Sequence, residues 1–156
     1  MQIHLIAVGT RMPKWVDEGF NEYVRRMPPE CSIKLHEINM PKRSKGNSAA
    51  KLREQEGQKM VNLLPKGARQ LALEVNGSSW STEKLAERLK FWMESGQDIA
   101  ILIGGPDGIE PALSARSDEK WSLSPLTLPH PLVRVVLAEQ LYRAWTILKG
   151  HPYHRG

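Results

Sequence analysis

A single cysteine, Cys31, stands in a chain of 156 residues, so no internal disulfide can form, which agrees with a reducing compartment. Long hydrophobic runs are missing as well. The longest continuous apolar stretch, Ile99–Ile103, falls far short of the roughly 20 residues that cross a bilayer. The opening MQIHLIAVGTRMPKW has no basic segment leading into a long apolar one, so no signal peptide is expected and the cytoplasm is the expected location. No GxSxG, Walker-type or GxGxxG pattern occurs. Val8-Gly9-Thr10 offers one glycine where a dinucleotide fingerprint needs three. That removes the usual support for a conventional Rossmann dehydrogenase or methyltransferase. His151 and His154 lie without cysteine or carboxylate neighbours, so no metal site is expected. Cys31, at the start of an expected strand, has no evident activating neighbour and reads as structural.

What the chain does carry is a positive excess of +5, all of it in the first half. Residues 1–78 hold 13 Lys+Arg against 8 Asp+Glu, whereas residues 79–156 hold 9 of each. The densest cluster is Lys42, Arg43, Lys45, Lys51 and Arg53. Such a face can bind phosphates by charge and counterion release, or be only a solvated surface. Apolar patterning alternates between strand and helix along the chain. Gln2–Val8 is a short apolar run, and Val16, Phe20, Tyr23 and Val24 then recur at helical spacing as far as Pro28-Pro29. Ser32–Ile38 alternates like a strand, 47–64 reads as a helix ended by Pro65, and 69–75 as a strand. Ser81 is the expected N-cap of the next helix, and 98–103, the most apolar strand, is expected at the centre of the sheet. The alternation predicts a single α/β domain over 1–156, with a mainly parallel sheet flanked by helices.

The last third holds the functional candidates. Gly104-Gly105-Pro106 follows the apolar strand where open α/β sheets bind ligands. It reads either as an ordinary tight turn or as a place where a flat ligand can approach the backbone. Beyond it, Leu123-Ser124-Pro125-Leu126-Thr127-Leu128-Pro129-His130-Pro131 is an apolar loop stiffened by prolines. Such a loop is expected to be buried, its backbone satisfied by an adenine-like ring or by packing. A helix over 132–148 carries the apolar stripe Val133, Leu137, Leu141, Ala144, Trp145 and Leu148. Leu132, Val135 and Val136 add a second apolar side suited to another subunit, while Glu139 and Arg143 have the spacing of an ion pair. In the tail HPYHRG, Tyr153 and His154 could stack on a base, Arg155 could pair with an anion, and His154 could move a proton.

The combination LIGGPDG, WSLSPLTLPHPLVRVVLAEQLYRAW and terminal HPYHR, together with AVGTRMPKWV and EYVRR near the start, resembles the ribosomal RNA large-subunit methyltransferase H family of the SPOUT, or α/β-knot, superfamily. The resemblance spans essentially the whole chain. It implies a C-terminal deep trefoil knot, an exception to the rule against knots. It also implies transfer of a methyl group from S-adenosylmethionine to N3 of a pseudouridine in helix 69 of 23S rRNA, on the assembled ribosome and by a homodimer. Carried onto this sequence, the cofactor contacts would be Leu73, Gly104, Leu123, Ser124, Pro125, Leu126, Thr127 and Leu128. Tyr153, His154 and Arg155 are the expected catalytic group. Two rivals are a non-catalytic ribosome-binding factor and an α/β-knot methyltransferase acting on transfer RNA.

Overall fold

The computed structural model describes residues 1–42 and 46–155. Its strands are β1 (Gln2–Val8), β2 (Ser32–Ile38), β3 (Arg69–Ser79), β4 (Ile99–Ile103) and β5 (Glu119–Ser122). They form one sheet in the order β2-β1-β4-β3-β5, and every pairing is parallel. β4 lies in the middle, bonded to β1 through Ile3↔Ile99 and to β3 through Arg69↔Ile99. All five of its residues are buried, as a strand covered on both faces requires.

The covering helices are α1 (Lys14–Arg26), α2 (Ala49–Leu63), α3 (Thr82–Ser95), α4 (Pro111–Ala115) and α5 (His130–Leu148). Alternation along the strands sends their apolar side chains to two cores. On one face Ile3, Leu5 and Ile101 meet Phe20 of α1, Leu89 and Trp92 of α3, and Leu137 and Leu141 of α5. On the other face Ile6, Ala100 and Leu102 meet Met60 of α2 and Leu113 of α4. Ser48 and Ser81 cap their helices by accepting the Lys51 and Lys84 N–H groups at 3.1 and 3.0 Å. Gly96, in the left-handed region at φ +74°, ends α3. Arg143 donates to Glu139 at 2.6 Å, the ion pair expected on α5.

Three features depart from the sequence reading. β3 continues to Ser79 instead of ending at Val75. α4 and β5 are too short for any periodicity to announce them. Cys31 sits in a 3-10 turn, Pro29–Cys31, just before β2. It is fully buried, and burial pushes its thiol up to about 11, which leaves it unreactive at neutral pH.

The short strand β5 is held by Glu119. Its carboxylate accepts from Arg69 at 2.7 Å and from the Trp92 indole at 2.9 Å, and it pairs with Arg88 at 2.6 Å. Glu119→Ala strands two partly buried guanidiniums and is expected to cost about 2–4 kcal/mol. Urea unfolding monitored by circular dichroism checks this. A midpoint equal to that of the unsubstituted protein would show that β5 does not depend on this cluster.

Candidate cofactor pocket and active site

Because every strand is parallel, all five C-terminal ends open onto one edge of the sheet, where connecting loops present backbone groups. At that edge the pairing of β3 with β5 is interrupted between Leu73 and Ser78. The chain bulges away over 74–77 and returns at Gly77. A Cβ on Gly77 would stand 2.7 Å from the Trp121 backbone, so glycine is what permits the return. The gap left by the bulge is one wall of a cavity of about 600 Å³. The turn after β4 is the second wall and the loop after β5 the third.

Seven of the eight expected cofactor contacts line this cavity: Leu73, Gly104, Leu123, Ser124, Leu126, Thr127 and Leu128. Pro125 does not line it and is exposed. Sequence reasoning missed Glu74, Val75 and Asn76 of the bulge, and also His130 and Val133 at the start of α5. Asn76-Gly77 was the available signal, since an isolated glycine at the end of a strand run marks a bulge as readily as an end.

Gly104 is held by sterics. A Cβ there would lie 2.6 Å from the Gly108 carbonyl carbon and 2.9 Å from the Ile109 nitrogen. The turn over 105–108 is closed by the Gly108 N–H donating to the Gly105 carbonyl at 2.9 Å. Arg53 donates to the Asp107 carbonyl at 3.4 Å. This half-buried arginine, counted in the basic cluster of the sequence, is thus directed to the glycine turn. Lys42 and Lys51 are exposed, while Arg43 and Lys45 lie outside the described residues.

The proline loop is shaped by Ser124, whose hydroxyl accepts the Leu126 N–H at 2.9 Å and whose carbonyl accepts the Ser122 hydroxyl at 3.1 Å. The expected burial of this loop is not found. Pro125, Leu126 and Thr127 are exposed, Leu126 by 71%. The loop is folded by its own polar groups, and Leu126 and Leu128 stand at the cavity. Where it enters α5, burial and then the Arg134 charge lower the His130 pKa, so a neutral imidazole faces the cavity at neutral pH. Arg134, only 2% exposed, donates to Glu37 at 2.6 Å and to the Gly9 carbonyl at 2.8 Å.

The tail is elsewhere. None of Tyr153, His154 and Arg155 lines the cavity. They form a 3-10 turn, Pro152–Arg155, that folds back on α5. The Tyr153 ring meets Tyr142 edge-on at 4.7 Å and Tyr23 at 6.5 Å, with the Arg143 guanidinium 5.0 Å from its centroid. Its N–H donates to His151 Nδ1 at 3.1 Å. Burial, and then the Tyr23 hydroxyl, push the Tyr153 phenol up to about 12, so it stays protonated. His154 Nδ1 is buried with no hydrogen-bond partner among the described residues. Tyr142 stands nine residues along α5 from Val133 at the cavity, which is about 13 Å of helix. Within one protomer, then, the tail and the cavity are separate. Among the described residues no group of three His, Cys, Asp or Glu could hold a metal ion, and no helix is long and apolar enough to cross a membrane.

Comparison with known proteins bears on what this edge of the sheet does. A protein-family profile described as "Predicted SPOUT methyltransferase" matches residues 1–154. The protein named ribosomal RNA large subunit methyltransferase H from Hahella chejuensis is 59% identical over 155 residues, 99% of each chain. Proteins of the same name from Thioalkalivibrio sulfidiphilus and Azotobacter vinelandii are 56% and 54% identical, each over 99% of this chain and over 99% and 100% of their own.

Proposed function

This chain belongs to the SPOUT methyltransferase family, and on that premise we propose that it methylates N3 of a pseudouridine in helix 69 of 23S rRNA on the assembled ribosome. The reading is supported by full-length relatives named as large-subunit rRNA methyltransferases. The observation that carries it is the cavity where Leu73, Gly104 and the 123–128 loop converge at the C-terminal edge of the sheet. Its volume lies in the range of roughly 300–1,000 Å³ typical of small-molecule sites. Its walls suit S-adenosylmethionine, with leucines for an adenine ring, backbone at Gly104 for close approach, and an uncharged His130 where a cation must be tolerated. The reading includes a trefoil knot in the C-terminal third.

When bound, the cofactor supplies a methyl group on a positively charged sulfonium, already electrophilic. What remains for the protein is alignment and one proton. The N3 proton of the base leaves at or before transfer and is taken by His154, directly or through a water. Arg155 stabilises the negative charge that this leaves on the base. Tyr153, protonated and packed among Tyr23, Tyr142 and Arg143, orients the other two and takes no proton itself.

These residues pack against α5 about 13 Å along the helix from their own cavity, so the composite site belongs to a homodimer. A two-fold axis along α5 would lay the tail of one subunit across the cavity of the other. Val75 and Leu126, exposed by 55% and 71% at the cavity rim, are apolar surface that such a partner would cover. Methyl acceptance tests the function. Intact ribosomes are expected to accept one methyl group per large subunit, and transfer RNA none. Equal labelling of transfer RNA would contradict the proposed substrate.

A further inference from the structure

Four of the five tryptophans have a ring partner or a buried place. Trp80 stacks on Trp121 at 5.1 Å, Trp92 is fully buried, and Trp145 stacks on Tyr142 at 6.1 Å. Trp15 is different. It stands in the first turn of α1 and is 57% exposed, although the adjacent Val16 is completely buried. The exposed indole is a surface on which the aromatic ring of a partner can stack.

The surroundings say what kind. Residues 9–15 contain Arg11 and Lys14 and no acidic residue. Arg11 is exposed, and at φ +58° it is the one non-glycine residue with positive φ among those described, a backbone conformation that costs energy. The Lys14 side chain is 91% exposed, and its ion pair with Glu18, at 3.7 Å, is weak enough for a phosphate to displace. Asp17 is exposed on the same helix, one residue beyond the buried Val16. Glu37 is occupied by Arg134. Exposed Met40 and Lys42 follow β2, whose end pairs with the end of β1.

The loop is also fixed relative to the cavity. The Gly9 N–H donates to the Ile38 carbonyl at 2.7 Å, and the Gly9 carbonyl accepts from Arg134, which lies one residue beyond the cavity-lining Val133. On the other side Val8 packs close to Gly105. We propose that the loop between β1 and α1, together with the first turn of α1, is a nucleobase platform: Trp15 stacks on an unpaired base of the RNA substrate while Arg11 and Lys14 hold its flanking phosphates. This rests on the RNA-methylation reading above.

The experiment measures steady-state methylation of ribosomes and direct ribosome binding by Trp15→Ala, Trp15→Phe and Arg11→Ala in the full chain. Trp15→Ala should raise KM and the dissociation constant for ribosomes by roughly 5- to 100-fold with the maximal rate retained. Trp15→Phe should restore most of the loss, and calorimetry should show cofactor affinity unchanged. Arg11→Ala should reduce the salt slope of binding by about one. A Trp15→Ala protein with unaltered KM overturns the platform. So does one that sediments as a different oligomer, because the indole would then be a subunit contact. If the unsubstituted protein methylates no ribosomal RNA, the earlier reading fails instead, and that result is separable from either of these.

Discussion

Removal of residues 153–156 is expected to leave a protein that binds S-adenosylmethionine and methylates ribosomes at least roughly 1,000-fold more slowly, the combined loss of a proton acceptor and of a charge that stabilises the anionic base. Cofactor affinity should be retained, since the cavity walls come from the ends of β3 and β4, the loop after β5 and the start of α5, and the tail is assigned to the base and not to the cofactor. Truncation also removes the Tyr153 ring from Tyr23, Tyr142 and Arg143, at a stability cost of about 1–2 kcal/mol. Point variants separate the two effects. His154→Ala and Arg155→Ala leave that packing in place and should still lose most of the rate. Tyr153→Phe keeps the ring and should lose little. Single-turnover methylation with saturating cofactor reads all three, and a truncated protein working at the full rate would show the tail has no part in the chemistry.

The second large effect is expected at Gly104. A single added methyl group must displace the Gly108–Ile109 backbone, which its Cβ would approach to within 2.6–2.9 Å. Overpacking of this kind costs about 1–3 kcal/mol. Here the strain falls on the turn that forms one wall of the cavity, so Gly104→Ala should weaken S-adenosylmethionine binding by roughly tenfold or more. Isothermal titration is the direct reading, with thermal unfolding to confirm that the sheet persists. Unchanged affinity would place the cofactor away from the glycine turn.

Much of this arrangement was legible in the residues themselves. β4 announced itself as five consecutive apolar residues, and its central place follows because only a strand covered on both faces can be apolar throughout. Gly104 and the proline loop could be singled out from turn chemistry alone. Leu73 could not, because nothing distinguishes it from the other leucine of β3 until the pairing with β5 breaks beside it. The bulge was hidden for the same reason: it is defined by a partner strand of four residues that carries no periodicity of its own. The exposure of Leu126 runs against its hydrophobicity, and a single chain gives an exposed leucine no explanation. The catalytic candidates were recognisable by type, yet their separation from the cavity depends on how far α5 runs before the tail turns back. That length is a property of the folded helix.

The account stands or falls on one subunit's tail serving the other's cavity. Two defective chains, one lacking 153–156 and one carrying Gly104→Ala, can be co-expressed with different tags and the mixed dimer purified through both. One of its two sites then combines an intact cavity with an intact tail, and methylation of ribosomes should return to about half the level of the unsubstituted dimer. With S-adenosylmethionine held well below the dissociation constant of the Gly104→Ala cavity, every site in the mixed dimer would be defective if each tail served its own cavity. The mixed protein would then be no more active than its parents.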